Sequence, residues 1–263
     1  MISFVVIGMV SFLTAGMTLF SGFGLGTLLM PVFALFFPIE AAVAATAVVH
    51  GANNVFKIGV VGKHADRSLV MRFGIPAILA AVAGAAVLGL MSGFEPLATW
   101  SAGVMAGTIT PVKLAMGIMI FIFSLFELLP RLRKLRFDKK HLFAGGLLSG
   151  FFGGFSGHQG ALRSAFLVKV GISTEAFVGT SAVIGFMVDA ARILTYALVF
   201  VVAGNKSPFA PEQWPIILTA VLAAFAGVYV AKRFLHKITM KTIQTLAGIL
   251  LLLIALGLAS GLI

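Results

Sequence analysis

The chain has no cysteine and few charged residues, and both shortages narrow what it is. Without cysteine, disulfide bonds, thiolate metal sites and thiol nucleophiles are excluded. Only 10% of the 263 residues are charged and 60% are hydrophobic, which is far from the composition of a soluble domain. Most apolar runs reach the roughly eighteen residues or more that a membrane-crossing helix needs. The composition therefore predicts an all-α integral membrane protein.

Breaks between the apolar runs divide the chain into ten predicted helical segments. These segments cover 3–20, 24–37, 41–62, 69–92, 111–129, 141–155, 160–172, 176–203, 214–233 and 240–262. Three of them, 24–37, 141–155 and 160–172, are shorter than the roughly twenty residues that cross a bilayer, which predicts broken or re-entrant helices. No lysine or arginine precedes Lys57, so the first run lacks the charged start of a signal peptide and is predicted to remain as a helix.

Basic residues are concentrated in the three loops 63–72, 131–140 and 232–241, which hold 13 of the 19 lysines and arginines. All three loops follow odd-numbered segments and so lie on one face, which the positive-inside rule assigns to the cytoplasm. We therefore expect a multi-pass protein of the inner (plasma) membrane with both termini outside the cytoplasm. Because helix orientation accounts for the net charge of +11, no nucleic-acid partner is expected.

The two halves of the chain resemble each other at an offset of 135 residues. The offset aligns Ser21-Gly22 with Ser156-Gly157, Glu40-Ala41 with Glu175-Ala176, Val43 with Val178, Thr46 with Ser181, Ala47-Val48 with Ala182-Val183, Asn54 with Asp189, and Lys57 with Arg192. Each half has five segments, so the second half enters the membrane from the opposite face and the repeats are predicted to be inverted. Inverted repeats with broken helices are typical of secondary transporters, whose substrate site lies near the midplane where the repeats meet.

The repeat also predicts how the chain is divided. We expect an N-terminal transmembrane repeat over 1–130, a basic cytoplasmic linker over 131–140 and a C-terminal transmembrane repeat over 141–263. Because the substrate site of such a protein lies between the repeats, the two halves are expected to form a single transport domain.

A glycine-rich motif joins two short segments in each half: SGFGLG at 21–26 and SGHQG at 156–160. Helix starts at membrane depth have unpaired amides and a partial positive charge, which favour an anion. Gly22, Gly24, Gly157 and Gly160 are therefore candidate substrate-binding positions. The alternative is that these glycines serve only to let helices cross closely.

Arg163 follows the second motif inside an otherwise apolar stretch. A guanidinium near the bilayer centre costs at least about 2.5–3.5 kcal/mol, so it needs a cavity or a partner. Together with His158, Gln159 and Ser164 it supplies donors suited to a planar or tetrahedral oxyanion. The alternative is that Arg163 extends to the membrane interface or bonds the carboxyl end of a neighbouring helix.

Lys57 and Arg192 occupy equivalent turns of segments three and eight, and both are candidate substrate contacts. Asp189 precedes Arg192 by one turn, so an internal ion pair is expected, and this deeply placed acid is also the candidate for proton coupling. Asn53 and Asn54 precede Lys57 in the same way and are candidate contacts. Lys57 has no acid in its own turn, so its partner is a substrate anion or Asp189, unless it extends to the cytoplasmic interface.

The remaining polar residues of interest have simpler interpretations. Glu40 and Glu175 start segments three and eight and are interpreted as helix-start residues, and His50 as a polar contact between helices. None of the histidines has metal-ligand spacing, so no metal and no cofactor are expected. No grouping of serine, histidine and acid recommends a hydrolase, so the chain is not expected to be an enzyme.

Both halves also carry the residues of a known family. Through residues 21–66 and 148–193 the chain resembles the sulfite/anion exporter TauE/SafE family, also called TSUP, over nearly its whole length. The resemblance implies a prokaryotic inner-membrane transporter of sulfur oxyanions or small organosulfonates. Many members have three consecutive glycines in the motif, whereas this chain has Gly-Leu-Gly-Thr at 24–27 and His-Gln-Gly-Ala at 158–161.

We therefore expect a secondary transporter of a small anion such as sulfite, sulfoacetate or a taurine-like species, bound between inverted repeats. Arg163, His158, Gln159 and Asn54 are expected to hold the anion, and alternating access is expected to come from tilting one half against the other. An anion channel and a non-transporting membrane partner subunit are the alternatives. The expected partners are the lipid bilayer and the anion, and a homo-oligomer is left open.

Overall fold

The computed structural model describes residues 1–21, 24–133, 135–202, 209–234 and 240–263, and these are helical almost throughout. The helices are α1 (Ile2–Ser21), α2 (Leu25–Ala34), α3 (Ile39–Val61), α4 (Arg67–Leu69), α5 (Ile75–Met91), α6 (Pro111–Leu128), α7 (Pro130–Arg133), α8 (Leu142–Ser156), α9 (Gly160–Leu167), α10 (Thr174–Val202), α11 (Trp214–Phe234) and α12 (Met240–Ser260). A π-helical turn, Val70–Gly74, joins α4 to α5. Each of the ten predicted segments overlaps one of the ten helices α1, α2, α3, α5, α6, α8, α9, α10, α11 and α12.

Four helical stretches of the described residues are long and apolar enough to cross a membrane. They are Arg67–Met91, Pro111–Leu128, Thr174–Val199 and Pro211–Ala231. Shorter apolar helices cover Ile2–Thr18, Leu25–Ala34 and Ala247–Ser260. The chain is therefore a helical, multi-pass membrane protein, as its composition predicts.

A β-hairpin was not predicted from the sequence. Strands β1 (Ala98–Ala102) and β2 (Met105–Ile109) pair antiparallel around Gly103, which has a φ of 61°. The indole Nε1 of Trp100 donates to the carbonyl of Ser260 at 2.7 Å. The backbone amide of Thr108 donates to the carbonyl of Gly261 at 3.0 Å. The connection between α5 and α6 is thus an ordered hairpin fastened to the end of α12.

The helices that follow the glycine motifs, α2 and α9, are too short to cross a bilayer. α2 has 10 residues and α9 has 8 residues, and at 1.5 Å per residue they are about 15 Å and 12 Å long. Each follows a longer helix after a glycine with positive φ: Gly24 at 120° before α2, and Gly157 at 83° before α9. Only glycine adopts such angles readily, so these positions allow the chain to break and restart a helix. Short helices thus occur where the sequence predicts broken ones.

The closest helix packing joins the two halves of the chain. α1 packs along α11, α8 along α5, α6 along α12, and α3 along α10. Gly146, Gly150 and Gly154 form a stripe on α8, and a Cβ at any of them would overlap a backbone carbonyl of the Arg67–Met91 stretch. Gly227 of α11 faces a carbonyl of α1 in the same way. Such close approach is typical of helices in membranes, where small residues let backbones pack directly.

Candidate functional site

Asp189, on α10, is the centre of a buried polar cluster between α3, α10 and the turn that joins α8 to α9. Its Oδ1 accepts from Arg192 Nε at 3.0 Å, from Arg192 Nη2 at 2.8 Å and from Gln159 Nε2 at 3.0 Å. Its Oδ2 lies 2.6 Å from His50 Nδ1 and 3.1 Å from Asn54 Nδ2. An ionised carboxylate only accepts, so His50 donates through Nδ1. The predicted ion pair between Asp189 and Arg192 is present, and five N–H groups leave little room for a proton on this carboxylate.

Gln159 connects this carboxylate to Arg163. The amide nitrogen of Gln159 donates to Asp189, and its Oε1 accepts from Arg163 Nη1 at 2.8 Å. Ser149 in turn donates to the backbone carbonyl of Gln159 at 2.9 Å. Arg163 is only 1% exposed, so it lies inside the protein and does not extend to the membrane interface.

Lys57, on α3, is also buried, with 5% of its surface exposed. Its Nζ donates to Thr18 Oγ1 of α1 at 2.6 Å, and Thr18 donates to the carbonyl of Ala15 at 3.0 Å. Asp189 was one of its two expected partners, but that carboxylate bonds His50 and Asn54 instead. Lys57 thus faces the end of α1 and the start of the first glycine motif.

Several buried polar atoms of this region have no hydrogen-bond partner among the described residues. They are Arg163 Nε, His158 Nε2, Ser164 Oγ, Ser181 Oγ, and both side-chain polar atoms of Asn53. The His158 ring stacks on Phe123 with centroids 5.2 Å apart, and its Nδ1 lies 3.1 Å from the carbonyl of Ser156. A carbonyl only accepts, so His158 donates through Nδ1, which makes Nε2 of the neutral imidazole an acceptor. Buried polar groups are normally paired, so the unpaired donors of Arg163, Ser164 and Asn53 indicate a position for a bound molecule.

The glycine motifs of the two halves meet beside this cluster. A Cβ on Gly26 would lie 2.9 Å from the carbonyl oxygen of Gly157, and one on Gly157 would lie 3.0 Å from Arg192 Nη1. Gly160 is the first residue of α9 and is buried. Gly22 lies outside the described residues. Gly26 therefore brings backbone close to backbone, and Gly157 brings backbone close to the Arg192 guanidinium, so the close-crossing interpretation applies to these two glycines.

Two members of the cluster, His50 and Thr18, are missing from the candidate residues chosen from the sequence. The interpretation of His50 as a polar helix contact is confirmed, since it bonds Asp189 across α3 and α10. Its position one turn before Asn54 was the available signal. Thr18 gave no signal, because a threonine at the end of an apolar helix usually bonds its own backbone. Glu127 of α6, a second acid in a helix long enough to span the membrane, is 5% exposed and was also not among the candidate residues.

Contacts inside the cluster repeat at the offset found in the sequence. Asn54 bonds Asp189, which is 135 positions later in the chain. Lys57 bonds Thr18. The equivalent residues 135 positions later are Arg192 and Gly153, and Arg192 Nη1 donates to the carbonyl of Gly153 at 3.1 Å. Helix ends obey the same offset, since α1 and α8 end at Ser21 and Ser156 and α3 and α10 begin at Ile39 and Thr174.

In charge, the cluster is positive. It contains three buried basic side chains, Lys57, Arg163 and Arg192, and one buried acidic side chain, Asp189. No group of three or more metal-binding side chains was found among the described residues. What the arrangement provides is hydrogen-bond donors and positive charge in a low-dielectric interior, which suits an anion.

The family comparison agrees with the resemblance noted in the sequence. The sequence profile of the family described as Sulfite exporter TauE/SafE matches residues 6–258, nearly the whole chain. No match of comparable strength was found among curated proteins or among solved structures.

Proposed function

Because the chain belongs to the sulfite exporter TauE/SafE family, whose members are membrane transporters of small anions and not enzymes, we propose that it is a secondary transporter of sulfur oxyanions or organosulfonates. Sulfite, sulfoacetate and taurine-like compounds are the substrates in view. We propose further that the protein lies in the inner membrane and that the basic loops 63–72, 131–140 and 232–241 face the cytoplasm, which the positive-inside rule favours.

The observation that carries the proposal is the state of Arg163. Its guanidinium is buried, bonds only a neutral amide oxygen among the described residues, and leaves Nε unpaired. The hydroxyl of Ser164, the next residue of α9, is an unpaired donor as well. His158 Nε2 is also unpaired, but it accepts, because Nδ1 of that ring donates to the carbonyl of Ser156. A buried guanidinium with free donors beside it is suited to bind an oxyanion through two parallel hydrogen bonds.

Two observations support inverted repeats as the framework of the site. Residues related by a two-fold axis can touch each other only near that axis, and Asn54 touches Asp189 at the repeat offset of 135. The repeat offset relates α1 to α8 and α5 to α11. Helix α1 packs on α11, and the equivalent pair, α8 and α5, packs in the same way. The axis then passes between α3 and α10, beside the proposed anion site, as expected of a transporter built from inverted repeats.

Alternating access is the mechanism that fits a closed cluster of this kind. Asp189, Arg163 and Arg192 are each 1% exposed or less, so an anion reaches them only when helices around them move. We propose that such movement opens the cluster to one side of the membrane and then to the other.

The test is transport into proteoliposomes. Replacing Arg163 by alanine removes the unpaired guanidinium, and we expect the uptake of labelled sulfoacetate or sulfite to fall at least about tenfold, since a charged hydrogen bond is worth about 1.5–3 kcal/mol. The control is Arg131→Ala, which removes an exposed arginine of a basic loop and should leave uptake unchanged.

Unchanged uptake in the Arg163→Ala protein would reject Arg163 as the anion-binding residue. The dependence of the rate on concentration separates the alternatives. A transporter saturates as its site fills, a channel gives a rate that rises linearly, and a non-transporting subunit gives no uptake above that of empty vesicles.

A further inference from the structure

The carboxylates that could neutralise the site can be counted completely. The chain has 8 aspartates and glutamates, and all of them lie in its described residues. Within those residues, ion pairs closer than 4.0 Å join Asp189 to Arg192, Asp189 to His50, and Asp138 to Lys169, the last pair being exposed. Of the three buried cations in the site, only Arg192 therefore has a carboxylate.

Lys57 and Arg163 have neutral hydrogen-bond partners in the described part of the chain. Lys57 Nζ bonds the hydroxyl of Thr18 at 2.6 Å, and Arg163 Nη1 bonds the amide oxygen of Gln159 at 2.8 Å. A Cβ on Gly185 would lie 2.7 Å from Asn54 Nδ2 and 3.2 Å from Arg163 Nη1, so Arg163 lies beside the turn of α3 that leads to Lys57. A buried charge without a counter-charge is strongly unfavourable, so two cations in this state call for two negative charges.

This excess arises at two positions where the halves differ. In the second half Asp189 stands one turn before Arg192 and cancels its charge. The equivalent position in the first half is Asn54, which is neutral, so Lys57 has no carboxylate in its own turn. The second cation, Arg163, has a leucine, Leu28, at its equivalent position. Each half thus supplies one uncompensated cation, Lys57 from the first and Arg163 from the second.

We propose that the anion carried by this protein is a dianion, whose two charges neutralise Lys57 and Arg163 together. This inference rests on the proposed function and narrows its substrate class. A doubly charged sulfur oxyanion, or a sulfonate that also carries a carboxylate, satisfies both cations. A monoanion leaves one buried cation without a counter-charge, and a zwitterion brings in a further positive group.

Binding of matched ligands to the purified protein tests the charge requirement. Sulfoacetate, isethionate and taurine each carry a sulfonate on a two-carbon chain, which ends in a carboxylate, a hydroxyl and an ammonium group respectively. Thiosulfate, which carries two negative charges, and methanesulfonate, which carries one, give the same comparison on a smaller tetrahedral ion. At neutral pH and constant ionic strength, calorimetry should give a Kd at least about tenfold lower for the dianion of each set.

A variant that supplies the missing charge from inside the protein makes the test specific to Lys57. Thr18→Asp places a carboxylate where Lys57 Nζ now meets a hydroxyl, and it should remove most of the preference for sulfoacetate over isethionate. In Thr18→Asn the new side chain has nearly the shape of aspartate without its charge, so this variant should keep the preference for sulfoacetate over isethionate. Lys57→Met removes the cation itself and should act like Thr18→Asp, so the test does not depend on one variant folding.

The outcomes separate this inference from the proposed function. If isethionate and methanesulfonate bind the native protein as tightly as sulfoacetate and thiosulfate, the dianion inference fails while anion transport stands. The same holds if Thr18→Asp and Lys57→Met both keep the full preference. If none of these anions, nor sulfite, binds or is taken up by proteoliposomes, the proposed function itself fails.

Discussion

At the scale of single residues, Asp189 is the side chain whose loss should matter most for stability. It is fully buried and accepts from Arg192, Gln159, His50 and Asn54. In Asp189→Asn the Arg192 guanidinium loses its only counter-charge, and removal of one partner from a buried ion pair costs about 3–5 kcal/mol. We expect a clear loss of unfolding free energy, measured by thermal or denaturant unfolding in detergent.

Asp138→Asn is the matched control, because it breaks an ion pair that is exposed. Asp138 lies 2.5 Å from Lys169, with both side chains more than half exposed. The hydrogen bond and charge of Lys169 hold the pKa of the Asp138 carboxyl below its usual value, so this carboxylate is ionised at neutral pH. The pair differs from that of Asp189 and Arg192 in being exposed. Exposed ion pairs contribute little, so Asp138→Asn should leave unfolding nearly unchanged. Equal losses in the two variants would contradict the central role given to Asp189.

Individual site residues could be predicted where a charged side chain lies in an otherwise apolar segment. Arg163 and Asp189 are charged residues inside apolar segments, and their burial was expected for that reason. The bond between Asp189 and Arg192 follows from one-turn spacing on one helix. The contacts of Asp189 with His50 and of Lys57 with Thr18 join different helices, so sequence spacing holds no information on them.

At the scale of helices, the stripe Gly146, Gly150 and Gly154 sets the approach of α8 to α5. In Gly150→Ala the new Cβ would overlap the carbonyl oxygen of Ala77, so the helices must separate, and overpacking of this kind costs about 1–3 kcal/mol. We expect a lower unfolding temperature in detergent, followed by fluorescence-detected size exclusion after heating.

Gly59→Ala, on α3, is the control for Gly150→Ala. A Cβ there would meet no other atom within 4 Å, and alanine is the better helix former by up to about 1 kcal/mol. Gly59→Ala should therefore leave the unfolding temperature unchanged or raise it. If Gly150→Ala unfolds at the same temperature as Gly59→Ala, the close contact between α8 and α5 is not required for stability.

Helices were the most predictable part of the fold, because apolar length alone identifies a segment that needs a membrane or a core. Even the broken helices followed from length, since α2 and α9 are too short to cross a bilayer. The hairpin of β1 and β2 was missed for the opposite reason. Its strands have 5 residues each and lie mostly exposed, so they lack the alternation of buried and exposed positions by which a strand is recognised.

At the scale of the whole molecule, orientation in the membrane is open to direct test because the native chain has no cysteine. Val104 is fully exposed at the tip of the hairpin, and Lys140 is exposed in the second basic loop. In intact cells a membrane-impermeant maleimide should label the Val104→Cys protein, while the Lys140→Cys protein should be labelled only after permeabilisation. The opposite pattern would reverse the orientation derived from the basic loops.

The pairing of α1 with α11 and of α8 with α5 has a consequence for any rigid-body motion of this protein. Each of these tightly packed pairs takes one helix from either side of the basic linker. Moving residues 1–130 as one rigid body would separate both interfaces and break the direct backbone contacts at the glycines. We therefore expect α1 to move together with α11, and α5 together with α8, so that the boundary between moving parts differs from the boundary between the sequence repeats.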